Sequence, residues 1–286
     1  MKAGPGKMAR AGAGALAMVV LLAACDPARE TYRRHSDSLR TSGMLRTERA
    51  PADALFSNSV LAENFERIAF NREYRRIDDQ LVAKTTPARL SRWEQPIRYR
   101  LRGDAATGAD RTEYASFIRK LTGLTGVQFA EAEEDETPNL TILILGPEGR
   151  RQFKAELEAE GLAENMPLVI RWADDVDHTC VGQVAFDDLD TGLITGAMIV
   201  IKGELEGVLR SSCIHEELTQ TLGLMNDDPN VRPSIFNDDQ EFALLTEHDE
   251  ILLRILYDRR LKPGMEADEA RPLLPEIIEE IRPGGA

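Results

Sequence analysis

From Val60 the segment VLAENFERIAF sets Leu61, Phe65, Ile68 and Ala69 at helical spacing. QPIRYRLRG then alternates Ile97, Tyr99 and Leu101 with polar neighbours, which is the period of a strand. A helix is predicted over about 112–121, where Tyr114, Phe117, Ile118 and Leu121 share one face, and a strand over 127–130. NLTILILG at 139–146 is almost continuously apolar and reads as a buried central strand. A polar helix at 147–161 follows, then the apolar segments PLVIRW, CVGQVAF and TGAMIVIK, then a long helix over about 205–224. LTEHDEILLRILYD reads as an amphipathic helix with Thr246 as N-cap and Asp249 three residues on, and a short helix is expected at about 272–282. Alternating elements followed by helices predict α+β, or α/β, with a mixed twisted sheet, in one globular domain over residues 58–286. Residues 25–57 are polar and poor in core residues, and read as a flexible tether.

The N-terminus changes where this domain is expected to work. Lys2, Lys7 and Arg10 precede an apolar run from Ala13 to Ala24 that is too short to span a bilayer, so residues 1–24 read as an export signal. Its end, Leu22-Ala23-Ala24-Cys25, resembles the lipobox of bacterial lipoproteins. That resemblance implies a diacylated Cys25 as first residue of the mature chain, a membrane anchor without a transmembrane helix, and a cell-envelope location facing the periplasm. Asp26 resembles the inner-membrane retention signal of some Gram-negative lipoproteins. With Cys25 lipidated, Cys180 and Cys213 remain as an even pair in an oxidising compartment, where a disulfide is expected.

Charge narrows the partners. The net charge is −14, and removing residues 1–24 takes away Lys2, Lys7 and Arg10 and no acid, leaving −17. So acidic a chain is not expected to hold nucleic acid. An envelope protein or peptide fits better, with membrane contact made through the lipid on Cys25.

The chemistry sits in CIHEELTQTLGLMND at 213–227. A His-Glu pair on a helix suggests a zinc peptidase, whose ligands stand four residues apart with a catalytic glutamate after the first. Counted from His215, however, the fourth residue on is Thr219, which is no ligand. Counted back from Gly223 the stretch resembles the metzincin pattern, which implies Glu216, Gln220 and Asn226 at the three metal positions and Glu217 as general base. Every histidine of that pattern is replaced, and carboxamide oxygens are weak zinc ligands, so no cofactor is expected, with zinc as the alternative. RPSIFNDD stands where metzincins have their methionine turn, with Phe236 in the methionine's place, and AMIVIK fits their edge strand. NFERIAF, RWEQPIRYRL, EELTQTLGL, PSIFND and LTEHDEILLRILYD together resemble a family of proteobacterial lipoproteins that carry a conserved domain of unknown function.

Plainer readings stand beside these. Glu216 and Glu217 can be a solvated helix edge, and His215 a surface or satisfied structural residue. A site made from His178, His215 and His248 requires the fold to bring them together. Three functions stay open at this point: a degenerate peptidase-like domain that binds a peptide or protein, a hydrolase with Glu217 as base and atypical ligands, and a structural lipoprotein without ligand.

Overall fold

The computed structural model describes Met1 and residues 27–77, 80–175, 177–237 and 239–285. Cys25 and the signal segment that follows Met1 lie outside the described residues. At the centre is a five-stranded mixed sheet ordered β4-β3-β5-β7-β6, built from β3 (Ile97–Arg102), β4 (Phe129–Glu131), β5 (Leu140–Leu145), β6 (Cys180–Phe186) and β7 (Ile194–Lys202). The first four positions in that order run parallel, and β6 pairs antiparallel with β7 at one edge. This is the mixed α+β fold the sequence pattern predicts.

Strand β5 is central because both its faces are apolar. Leu140, Ile142 and Ile144 enter one core, and Leu143 and Leu145 enter the other. The first core is closed by α2 (Asn58–Ala69), α3 (Gly108–Thr125), α6 (Gly207–Gln220), α7 (Glu247–Leu256) and α9 (Leu274–Ile281). The second is smaller, with Leu157 of α4 (Pro147–Ala159) and Val169 and Trp172 of α5 (Pro167–Asp174) against Val200. Each fully buried Leu or Ile in these layers contributes roughly 1.5–3 kcal/mol relative to exposure. A short helix, α8 (Ala267–Ala270), precedes α9.

The structure differs from the sequence reading at three places. The strand ahead of the motif helix, β7, is interior, because β6 folds back antiparallel outside it and takes the edge. The expected tether is structured from Pro27 on. It carries α1 (Pro27–Thr41), and Tyr32, Leu45 and Ala54 reach the core. Arg46 bridges beside Phe242, and Arg46 and Arg232 share the carboxylates of Asp53 and Glu241. The third is a hairpin with no counterpart in the sequence reading, β1 (Asn71–Ile77) paired antiparallel with β2 (Gln80–Pro87) as a separate sheet.

Candidate functional site

The motif helix lies under the edge strand, and two features of the chain bring them close. Cys180 of β6 and Cys213 of α6 form the expected disulfide, with their Cα atoms 5.8 Å apart. Two residues along, Gly182 leaves room: a Cβ there would lie 3.0 Å from Glu217 Oε2 and 3.1 Å from Thr221 Cγ2. Lys202 N–H bonds to Thr179 O across the ladder. Antiparallel pairs alternate, so Gly182 and Val184 turn their own N–H and C=O away from β7. The Gly182 N–H duly donates to the Glu217 carboxyl.

Helix α6 is amphipathic in the sense this placement needs. Ile214, Leu218 and Leu222 are fully buried, while Glu216, Glu217 and Gln220 line a cleft of about 880 Å³. Past its last turn the carbonyls of Thr221 and Leu222 would be orphaned, but Trp93 Nε1 donates to the first (2.8 Å) and the Tyr257 hydroxyl to the second (2.9 Å). Gly223 then reverses the chain at φ +123°, and a Cβ there would lie 1.9 Å from Ser91 O. No other residue fits. The far walls come from β1, with Arg72 and Glu73, and from Glu164 to Leu168 on the other side of β6.

Burial dominates the electrostatics. Glu217 is 5% exposed, and its carboxyl is pushed up to about 8 by desolvation, then by the negative charges of Asp227 and Glu73, against the opposing Gly182 N–H. A carboxyl so placed holds a proton near neutral pH and can donate it. Gln220 Nε2 donates to Asp227 Oδ1 at 3.0 Å, so the glutamine is tied to the acid beside Glu217.

The structure therefore gathers Glu216, Glu217 and Gln220 with Asp227. Asn226 is turned away: its Nδ2 donates to Arg67 O at 3.0 Å, at the end of α2, and it does not line the cleft. The metzincin frame thus fails at its third position, and the donors do not fit zinc. Two of the three positions offer neutral carboxamides, one engaged by Asp227 and one facing another element. Among the described residues no three His, Cys, Asp or Glu side chains gather as a metal requires. The histidines also stay apart. His215 stacks on Phe117 (centroids 3.9 Å apart) and accepts the Leu245 N–H, His248 contacts Asn64, and His178 contacts Asp175.

Several cleft residues were not among the site residues expected from sequence. Asp227, which reads as part of an acidic loop, stands one place beyond the position the glycine count selects. Arg72 and Glu73 belong to the unforeseen hairpin, and Gln183 sits in a strand read only as apolar.

Fold and cleft together define an α+β domain with a polar cleft against the free edge of its sheet. By sequence, residues 58–276 match the model of DUF2927, a protein family of unknown function, and the chain belongs to that family. No curated protein and no solved structure matches the chain. The metzincin resemblance has no support in these comparisons.

Proposed function

We propose that the cleft binds an extended peptide or protein segment by strand addition to β6, with α6 as the floor. The observation that carries this reading is the edge itself. β6 ends the sheet, turns alternate backbone groups outward, and borders a cleft large enough for several residues. Strand addition uses those backbone groups for affinity and the flanking side chains for selection. The Glu217 carboxyl on Gly182 N–H already stands where the carbonyl of an added strand would accept. The module works in the cell envelope, held through lipid on Cys25. Support comes from the signal-like N-terminus and from the Cys180–Cys213 bridge, a bond that persists in oxidising compartments.

A second reading is a hydrolase in which Glu217 moves the proton. It is favoured by one observation, a buried carboxyl raised to about 8 beside Asp227, as acid–base catalysts are. Fluorescence polarisation with capped peptide libraries, alongside mass-spectrometric analysis of the same peptides, separates the two. Binding without cleavage, lost when alternate peptide amides are N-methylated, is the expected result. Cleavage that Glu217→Gln lowers by a factor on the order of 10² to 10⁴ would establish the hydrolase instead.

A further inference from the structure

Arg72 is a sheltered cation at the wall of the cleft. Its guanidinium stacks on Phe186, at the end of β6, with Cζ 4.5 Å from the ring centroid. Burial lowers its pKa, and its Nε has no hydrogen-bond partner. Among the described residues no carboxylate pairs with it, whereas the comparably sheltered Arg150 and Arg210 grip Glu204 and Asp110. Taking a guanidinium out of water without a counter-charge is costly, and an anion in the cleft would recover that cost. A second atom in the same cleft is unmet. Gln183 donates to Asn165 O, but its Oε1 is buried without a donor.

The two lie on opposite faces of β6, because Phe186 and Gln183 are three residues apart in a strand. A segment laid beside β6 sends successive side chains to those two faces in turn. We infer that the segment carries a carboxylate opposite Phe186, gripped by Arg72, and a hydrogen-bond donor opposite Gln183. Glu217 stands beside Gly182, four residues or about 13 Å further along the strand, where a different ligand side chain falls, while Glu73, next to Arg72 in sequence, also lines the cleft. Phe186 holds the guanidinium over its ring, which places its charge at the end of β6 before the ligand arrives. The ligand class is an acidic extended peptide, and the carboxylate belongs either to an Asp or Glu side chain or to a free C-terminus.

This inference rests on the strand-addition reading. Its test uses capped octapeptides scanned at each position against the oxidised protein, and the same peptides with free C-termini. The expected result is selection of Asp or Glu at one position, with a loss of about tenfold when that residue becomes Asn or Gln. In Arg72→Gln the acid and its amide should bind alike, and in Arg72→Glu the preference should pass to Lys. Arg72→Lys, which keeps the charge without the fork or the stacking, should fall between. Selection of the free C-terminus over every capped peptide would assign the carboxylate to the chain end. Peptides that bind through backbone amides with less than a twofold acid preference, or with a preference that survives Arg72→Gln in a protein of unchanged melting temperature, would overturn the Arg72 assignment and leave strand addition standing. Failure of every peptide to bind would overturn both.

Discussion

The cleft beside Glu217 and the polar knot at the start of α7 bury a carboxylate to similar depth, yet they treat it differently. Asp249, fully buried, accepts from Ser234 Oγ (2.5 Å), Thr246 Oγ1 (2.9 Å), Thr246 N (3.0 Å) and Ile235 N (3.2 Å). Thr246 Oγ1 in turn lies 3.0 Å from Pro233 O, and Asn64 meets His248 Nε2 at 3.0 Å. PSIFND and LTEHDE are thus locked to each other and hold a loop on a helix. In the cleft, Glu217 is raised to about 8 while Arg72 Nε and Gln183 Oε1 are left unmatched. Matched buried groups build structure, and on the strand-addition reading the unmatched ones beside the cleft are met by the ligand.

The largest test of that contrast is Asp249→Ala. It strands several buried donors at once and should cost about 3–5 kcal/mol, read by urea unfolding of the oxidised protein. A cost below 1 kcal/mol would mean the knot is not what holds the loop.

Next comes the bridge that joins the two sides of the cleft. Replacing Cys180 and Cys213 together by Ala should lower stability by roughly 3–4 kcal/mol, from the entropy of the 34-residue loop between positions 180 and 213. The same change should weaken peptide binding, because α6 is no longer clamped to β6. Peptide affinity unchanged in the folded double variant would separate the bridge from the cleft's function.

Glu217→Gln should do the reverse of Asp249→Ala. The folded pKa lies above the ordinary 4.5, so the native state keeps a proton that the unfolded chain releases, and stability falls as pH rises from 4.5 toward 8. The glutamine lacks that titration. It should change little at pH 4 and stabilise by about 4 kcal/mol at pH 8. A destabilised variant at pH 8 would show that the charged form is favoured. His215 acts at the other end: burial pushes it down to about 3, so the stability it contributes above 6.5 is lost as pH falls from 6.5 toward 3.

Gln220→Ala should have the smallest effect on folding, under about 1 kcal/mol, since it removes one part-buried hydrogen bond at a cleft wall. Its consequence should appear in ligand affinity, because Asp227 loses the hydrogen bond from Gln220 at the cleft wall.

Most of the frame was legible in the sequence, and the reasons are local. The alternation of Ile97, Tyr99 and Leu101 gives β3, the continuous LTILIL gives β5, and Thr246 with Asp249 forms the capping box the spacing suggests. The cysteine count found the bridge. What stayed hidden depends on contacts distant in sequence. Arg46, Asp53, Arg232 and Glu241 look like solvated charges until the fold brings 46 beside 241. The strand carrying Arg72 reads NREYRRI, whose charges blur any period of two. Asp227 lines the cleft and Asn226 does not, because counting along a motif cannot say which way the chain faces after Gly223 reverses it.

The account stands most directly on the edge of β6, and hydrogen exchange reads that edge residue by residue. With a selected peptide at saturation, the outward amide of Val184 should slow by at least about tenfold, while the Gly182 amide, already bonded to Glu217, and the amides that face β7 change less. Slowed exchange confined to other parts of the cleft, with the Val184 amide unaltered under a bound peptide, would contradict strand addition.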